Sequence, residues 1–252
     1  MLLAVDIGNT LISLGCHDGH AWRARFRLRT VPDKTADEYA VAILALLRAR
    51  GLPERVERVV VASAVPPLVS VFRELGAAWL GGETLVVGPG VRTGLAIRTD
   101  HPTEVGADLV ANAVAAYARF QTNCIAVDFG TATSFVAVAE PGALVGVAIA
   151  PGLSLGLEAL AQRTAQLPWV PVALPTTALG KNTVAAVQAG AILGHAALVD
   201  GMVRRMRAEL GGKARVVATG EGASFLAPLL SEVETVDPWL TLEGLRLIAL
   251  RN

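Results

Sequence analysis

Apolar and polar residues are arranged along the chain in blocks that predict short strands and longer helices. Two apolar blocks stop at an aspartate that is followed by a glycine, "AVDIGNT" over residues 4–10 and "AVDFGTATS" over residues 126–134. A second apolar block follows each of them, "LISLG" after the first and "SFVAV" after the second. A strand, a tight turn with glycine and another strand form the pattern of a β-hairpin. The sequence therefore predicts one hairpin at the start of the chain and one near its middle.

Further blocks predict the elements that follow the hairpins. Residues 58–65 ("RVVVASAV") and 214–220 ("ARVVATG") are apolar runs of strand length. Residues 35–50 show helical periodicity, and Thr35 and Glu38 occupy the two positions of a capping box. The first half of the chain is therefore expected to contain a helix that begins at a well-defined residue.

The second half of the chain contains the longest helical pattern, over 183–208. Small residues between Gln188 and Gly194 leave one face of this helix flat. A flat face suits either a helix in the protein interior or a helix at a dimer interface. His195 on this helix is expected to be packed or to face a dimer partner, and not to be catalytic. A shorter helix of small residues is predicted over 103–119, after a loop.

The two halves run alike, since each contains a hairpin, helices and further buried strands. A Val-Asp-x-Gly repeat almost half a chain apart indicates an internal structural repeat. The expected fold class is α/β, with an N-terminal domain over residues 1–118 and a C-terminal domain of similar build over residues 119–252.

Composition narrows the classes of function. Hydrophobic residues make up 53% of the 252 residues and charged residues 17%, which predicts a folded core and argues against disorder. The formal net charge is +0, so no electrostatic attraction to nucleic acid or to an anionic membrane is expected. The expected partners are small molecules.

The N-terminus and the cysteines indicate a cytoplasmic protein. The chain reaches Asp6 too early for the apolar region of a signal peptide. Cys16 and Cys124 have no zinc-ligand spacing, and they are expected to be buried, reduced thiols.

The residues at the two hairpin turns suit the binding of magnesium and phosphate. A carboxylate at the end of a strand holds the metal or its water molecules. Glycine then lets backbone N–H groups and neighbouring hydroxyls reach phosphate oxygens. Asp-x-Gly is also ordinary turn chemistry, but two copies in one chain favour the functional interpretation. The residues concerned are Asp6, Gly8, Thr10, Asp128, Gly130, Thr131 and Thr133.

Two further positions have both a structural and a functional interpretation. Gly220 and Gly222 open a helix after a strand, which is either a simple turn or a place where a base or an anion approaches a helix N-terminus. Asp108 precedes an apolar helix, so it is either an N-terminal capping acid or a base that takes a hydroxyl proton during phosphoryl transfer.

Six motifs together resemble a known family. "DIGNT", "EVGAD", "DFGTATS", "APGL", "LGKNT" and "VDPWLTLEGL" follow one another in the order found in type III pantothenate kinases. The resemblance implies two ribonuclease-H-like domains of the actin and sugar-kinase superfamily with a nucleotide cleft between them. It implies ATP-dependent phosphorylation of pantothenate, the first step towards coenzyme A, by a homodimer. The implied cofactors are Mg²⁺ and a monovalent cation, K⁺ or NH₄⁺.

The resemblance also implies a role for individual residues. Asp6 would hold the magnesium-bound phosphates, and Asp128 lies where the family places its monovalent cation. Asp108 would be the catalytic base, and Thr183 would reach the substrate across the dimer interface. The remaining matches are Gly8, Asn9, Thr10, Gly130, Thr131, Thr133 and Gly220 for the nucleotide, and Thr99, Gly106 and Ala107 for pantothenate.

Four positions depart from the pattern of the family. Leu109 stands in place of an arginine, Thr99 in place of a tyrosine, His101 in place of an asparagine and Val136 in place of an aspartate. Three of the four lie in the stretch that binds pantothenate. The sequence therefore leaves three alternatives: a pantothenate kinase with a compensated pocket, a kinase for another small alcohol, and a nucleotide-binding regulator of the same fold.

Overall fold

The computed structural model describes residues 1–252. Its strands are β1 (Leu2–Ile7), β2 (Leu11–His17), β3 (Trp22–Arg29), β4 (Arg58–Ser63), β5 (Glu83–Val86), β6 (Ala96–Ile97), β7 (Cys124–Phe129), β8 (Ala132–Ala139), β9 (Ala143–Pro151), β10 (Arg215–Thr219) and β11 (Thr235–Val236). Its helices are α1 (Ala36–Ala49), α2 (Pro66–Leu75), α3 (Ala107–Phe120), α4 (Leu153–Arg163), α5 (Thr183–Gln188), α6 (Gly194–Glu209), α7 (Ala223–Leu226) and α8 (Leu240–Ala249).

The chain forms two compact units, and neither of them is one continuous segment. Unit 1 comprises Met1–Ala96, Asp100–Ala115 and Leu240–Asn252, and unit 2 comprises Ile97–Thr99 and Ala116–Trp239. The sequence predicts continuous domains over 1–118 and 119–252, whereas α8 returns to unit 1 from the end of the chain. It does so because its apolar side chains, among them Leu245 and Ile248, are buried there.

Unit 1 is built on a mixed sheet of five strands in the order β3-β2-β1-β4-β5. Strands β1, β2 and β3 form an antiparallel meander, and β4 and β5 continue the sheet in parallel with β1. Helices α1 and α2 cover one face, where Tyr39 and Phe72 are buried. The predicted capping box is confirmed: the backbone N–H of Thr35 donates to Oε2 of Glu38 at 2.9 Å, and the backbone N–H of Glu38 donates to Oγ1 of Thr35 at 3.3 Å.

Unit 2 repeats this topology. Its sheet has the order β11-β10-β7-β8-β9-β6, in which β7, β8 and β9 form the meander and β10 and β11 run parallel to β7. The prediction of two α/β units of similar build, each with a hairpin at its start, is therefore confirmed. Cys16 in unit 1 and Cys124 in unit 2 are buried free thiols, as expected.

The longest helical stretch belongs to unit 2. A π-helical segment, Ala189–Leu193, joins α5 to α6 and makes one helix over Thr183–Glu209. It has 27 residues, and an 18-residue window within it has a mean hydropathy of 1.3, which would suffice, by length and composition alone, to cross a membrane. Ile192, Val199 and Val203 are instead buried in the core of unit 2, so the stretch is a partly buried core helix.

Helices α3 and α8 approach each other closely in unit 1. A Cβ atom on Gly244 would lie 1.9 Å from the carbonyl oxygen of Ala111, and no flexible side chain is there to yield. Beside this contact the hydroxyl of Thr241 donates a hydrogen bond to Oδ1 of Asn112 at 2.8 Å, and both residues are buried. Only glycine allows this approach, so Gly244 sets the distance between the two helices.

We expect Gly244→Ala to lower the free energy of unfolding by about 1–3 kcal/mol, the usual cost of overpacking. Chemical denaturation provides the measurement. Gly201→Ala is the matched control, because a Cβ on Gly201 in α6 would have no neighbour within 4 Å. The control should be neutral or stabilising by up to about 1 kcal/mol, the difference in helix propensity between the two residues. Equal stabilities of the two variants would contradict the prediction.

Candidate active site

The turn between β1 and β2 forms the first of two similar loops, over residues 8–10. The N–H of Gly8 donates to the carbonyl oxygen of Leu11 at 2.9 Å. Thr30, just after β3, holds the loop from the side: its hydroxyl donates to the carbonyl oxygen of Gly8 at 2.7 Å, and its N–H donates to that of Thr10 at 2.9 Å. Asn9 and Thr10 are exposed. The loop is therefore anchored by its own backbone and presents its polar side chains to solvent.

Asp6 precedes this loop on β1. Its neighbours Val5 and Ile7 face the core beneath α1 and α2, so the carboxylate of Asp6 points to the other face of the sheet. Asp6 is half-buried and lies opposite Ser13 in the register of the hairpin. A carboxylate is a hard oxygen donor, the type of ligand that Mg²⁺ takes together with phosphate oxygens.

The turn between β7 and β8 forms the second loop, over residues 130 and 131. The N–H of Gly130 donates to the carbonyl oxygen of Ala132 at 3.1 Å, and Thr131 is exposed. Asp128 is half-buried on β7 and lies opposite Ser134, which is the position that Asp6 holds opposite Ser13. The two loops thus share one construction.

Gly220 lies against the second loop. It follows β10, the parallel neighbour of β7, and has a φ of +87°. A Cβ atom there would lie 2.4 Å from Oδ1 of Asp128 and 2.7 Å from the carbonyl oxygen of Phe129. The structure therefore brings Gly220 together with Asp128, and it leaves no room for a larger residue. The hydroxyl of the preceding Thr219 is buried without a hydrogen-bond partner.

Thr133 differs from Thr131. The sequence assigns both hydroxyls to phosphate binding, but Thr133 is only 1% exposed, and its Oγ1 lies 3.0 Å from Nε2 of His195. The reason is the alternation of side chains along β8, which turns Thr133 and Phe135 towards the core of unit 2. A direct contact of Thr133 with phosphate stays a prediction.

Asp108 lies in the first turn of α3, in unit 1. Its carboxylate accepts hydrogen bonds from its own backbone N–H and that of Leu109, and burial raises the pKa of its carboxyl group. A Cβ atom on Gly106 would lie 2.5 Å from Oδ1 of Asp108, so this glycine leaves space for the carboxylate. The position at the helix start suits a capping acid, and the raised pKa suits a proton acceptor.

The departures from the family pattern have different surroundings. Leu109 and Val136 are buried, and Val136 lies between Ala126 and Val147 in the sheet of unit 2. A carboxylate in place of Val136 would be buried among apolar strands. Elsewhere, His101 is exposed, and the hydroxyl oxygen of Thr99 is buried without a hydrogen-bond partner.

Thr183 begins α5 and is exposed. The side chain of Asn182 caps the helix by accepting a hydrogen bond from the N–H of Ala185 at 2.9 Å. A surface concavity of about 560 Å³ lies beside this helix start, lined by Lys181, Asn182, Thr183 and apolar residues that include Leu160 and Val187. The concavity belongs entirely to unit 2.

Each unit thus gathers a part of the predicted site. Unit 1 contains the first loop after Asp6, together with Gly106, Ala107 and Asp108 at the start of α3. Unit 2 contains the second loop with Asp128 and Gly220. Sequence reasoning missed Thr30, because nothing in the pattern of β3 indicates that its end returns to the first loop.

Comparison with known proteins gives the family of the chain. A family model described as type III pantothenate kinase matches residues 2–205. The type III pantothenate kinase of Moorella thermoacetica is 47% identical over 100% of both chains. That of Geobacter sulfurreducens is 46% identical over 100% of this chain and 99% of its own.

Solved structures of more distant proteins share the fold. The ethanolamine utilization protein EutJ from Carboxydothermus hydrogenoformans has a TM-score of 0.57 at 17% identity, covering 98% of this chain and 89% of its own. A polyphosphate/ATP-glucomannokinase from Arthrobacter has a TM-score of 0.54 at 17% identity, covering 100% of this chain and 99% of its own. At these identities the likeness shows an actin-like ATPase fold and nothing of substrate.

We expect Gly220→Ala to lower stability and to weaken ATP binding, because the new Cβ would displace the carboxylate of Asp128. Gly212→Ala is the matched control: Gly212 has almost the same backbone conformation, φ +85°, but no atom lies within 4 Å of its Cβ position. The conformational cost, about 1 kcal/mol or more, is common to both variants. Chemical denaturation and titration calorimetry with ATP then isolate the contacts of the new Cβ with Asp128 and with the backbone of Phe129. Equal effects in the two variants would mean that these contacts are unimportant.

Proposed function

The chain belongs to the type III pantothenate kinases, which phosphorylate pantothenate to 4′-phosphopantothenate in coenzyme A biosynthesis, and we propose a role in this reaction for each of its loops. The family model covers most of the chain and the relatives match it from end to end, so the chain is an ATP-dependent kinase. The alternatives of a regulator and of a kinase for another alcohol are not favoured. A divalent metal accompanies the ATP of such a kinase.

We propose that both loops bind the phosphates of ATP. Asn9 and Thr10 in the first loop, and Gly130 and Thr131 in the second, are exposed at the turn of a hairpin. Phosphoryl transfer depends mainly on positioning and on the stabilisation of charge, and backbone N–H groups at glycine turns supply both without a bulky side chain. Anchoring of the first loop by Thr30 supports this role, because a fixed loop needs no reorganisation when ATP binds.

The two strand-end carboxylates fit two different cations. We propose that Asp6 holds Mg²⁺ and that Asp128 holds a monovalent cation, K⁺ or NH₄⁺. Both groups are half-buried oxygen donors beside a phosphate loop, and a single carboxylate with substrate phosphates is a common way of binding Mg²⁺. When bound, such cations neutralise the negative charge of the phosphates. Asp6 and Asp128 supply the fixed charge that holds them.

Asp108 is the proposed catalytic base, and the desolvation of its half-buried carboxyl group is the observation that supports this role best. The hydroxyl oxygen of pantothenate attacks the γ-phosphorus of ATP, the bond to the bridging oxygen breaks, and ADP leaves. The hydroxyl proton passes to the carboxylate of Asp108. Burial raises the pKa of this group, and a raised pKa makes the carboxylate a better proton acceptor near neutral pH.

We propose that Thr99, Gly106, Ala107 and Thr183 shape the pantothenate pocket. The unpartnered hydroxyl of Thr99 supports a contact with a polar group of the substrate. Leu109 stands where the resemblance to the family leads us to expect an arginine. We propose that another cation, from a partner subunit or from His101 or Arg98, neutralises the carboxylate of pantothenate instead. Both of these side chains are exposed.

We expect Asp108→Asn to lower kcat by roughly 100-fold or more while the affinity for ATP stays nearly unchanged. Steady-state kinetics with pantothenate and calorimetry with ATP give the two values. In the parent enzyme kcat should fall on acidification at a higher pH than an ordinary aspartate would give, because the pKa is raised and the base must be ionised. Full activity of the variant would identify Asp108 as a helix cap only.

We further propose that the enzyme is a cytoplasmic homodimer. Unit 2 exposes large apolar side chains, including Leu179 at 81%, Trp169 at 68% and Ile149 at 67% exposure. Apolar side chains exposed in this number are typical of an interface between proteins. The exposed Gly190 on the helix that begins at Thr183 lies in the same unit.

We expect Gly190→Leu to weaken the dimer without harming the fold of the single chain. Within one chain no atom lies within 4 Å of a Cβ on Gly190, so the new side chain begins in open space, and leucine improves helix propensity. Analytical ultracentrifugation should show a larger dissociation constant, and the melting temperature at low protein concentration should not fall. A parent protein that is a monomer at micromolar concentration would exclude the dimer.

A further inference from the structure

His195 contacts both strands that carry the second loop. Its Nε2 lies 3.0 Å from Oγ1 of Thr133, and its ring packs against that of Phe129, with centroids 6.2 Å apart and an angle of 59° between the rings. Phe129 is the last residue of β7, and Thr133 is the second residue of β8. The two residues are opposite each other in the hairpin register. One imidazole therefore touches both stems of the loop at Gly130 and Thr131.

The contact is buried. Thr133 is 1% exposed and His195 is 8% exposed, so water does not replace the hydrogen bond if one partner is lost. Burial also lowers the pKa of His195, which keeps the ring neutral at neutral pH. A neutral imidazole has one donor and one acceptor nitrogen, and a hydroxyl can pair with either.

The position of His195 depends on the irregular part of its helix. The π-helical segment Ala189–Leu193 ends immediately before Gly194, where α6 begins. A π-helical turn holds more residues than an α-helical turn and so rotates the side chains that follow it, and such segments are frequent at functional sites. The π-helical segment therefore lies just before His195, and the core residues Val199 and Val203 lie after His195 on α6.

We propose that His195 is a positioning residue for the second phosphate loop. It acts through Thr133, whose task is to hold the loop from the core side and not to contact phosphate. The proposal rests on the proposed function, in which Gly130 and Thr131 bind ATP. It predicts that loss of His195 weakens the binding of ATP more than it affects the binding of pantothenate.

The experiment compares His195→Leu with His195→Gln in the full-length enzyme. His195→Leu removes the hydrogen bond, and we expect the KM for ATP and its calorimetric Kd to rise about tenfold while the KM for pantothenate stays within about twofold. Glutamine places an amide nitrogen near the position of Nε2, so His195→Gln should recover most of the affinity. Thr133→Val should resemble His195→Leu, and the double variant should be no worse than either single variant.

Val199→Ala is the matched control. Val199 is buried one turn further along α6, in the same core, without a polar contact to the loop. This variant should lower the melting temperature and leave the KM for ATP unchanged. If His195→Leu behaves in the same way, or if His195→Gln is as poor as His195→Leu, the proposal is wrong and His195 only fills space.

Two further variants keep the outcomes distinct. If His195→Leu does not fold, His195→Gln and Thr133→Val still test the positioning role of His195, because valine keeps the volume of threonine. Thr131→Val tests the loop itself. An altered KM for ATP in Thr131→Val with no change in Thr133→Val would overturn the role of His195 and leave the proposed function intact. No change in Thr131→Val would instead count against the hydroxyl of Thr131 as a phosphate ligand.

Discussion

The alternation of side chains along a strand decides where both strand-end carboxylates lie. On β1 and β7 the residues on either side of the aspartate are buried in the core, so Asp6 and Asp128 must face away from it. A glycine then closes each turn by bonding to the strand that follows. The hydrophobic core of each unit thus fixes a polar group at the start of a loop. Any shift of register by one residue would bury the carboxylate and expose the core.

Several residues of the proposed site have surroundings that cost stability. The carboxyl group of Asp108 is held in a buried place that raises its pKa, so ionisation at neutral pH opposes folding. This destabilisation is absent at pH values below the pKa that the group has in the unfolded chain. It is complete at pH values above the pKa that the group has in the folded protein. Gly220 has a backbone conformation that favours glycine, and the hydroxyl of Thr219 is buried without a partner. Strain and unpaired polar groups of this kind are typical of functional sites.

The two units share a topology but anchor their loops differently. In unit 1, Thr30 at the end of the third strand bonds to the backbone of the first loop. In unit 2, His195 from a helix pairs with Thr133 under the second loop, and Gly220 packs against Asp128. A repeated strand order therefore does not require repeated side-chain contacts. Each unit holds its loop by the elements that its own sequence provides.

The sequence alone determined the two hairpins, the capped helix α1, the long helix of unit 2 and the family, because these follow from local periodicity and from contiguous motifs. It predicted the residues of both loops as a group. Only the tertiary structure decided that Thr133 faces His195 while Thr131 is exposed, that α8 joins unit 1, and that Gly244 lies against Ala111. These are contacts between residues distant in the chain, and they depend on how helices pack on sheets. The local pattern of apolar and polar residues shows which face of a strand is buried, but it does not show which element covers that face.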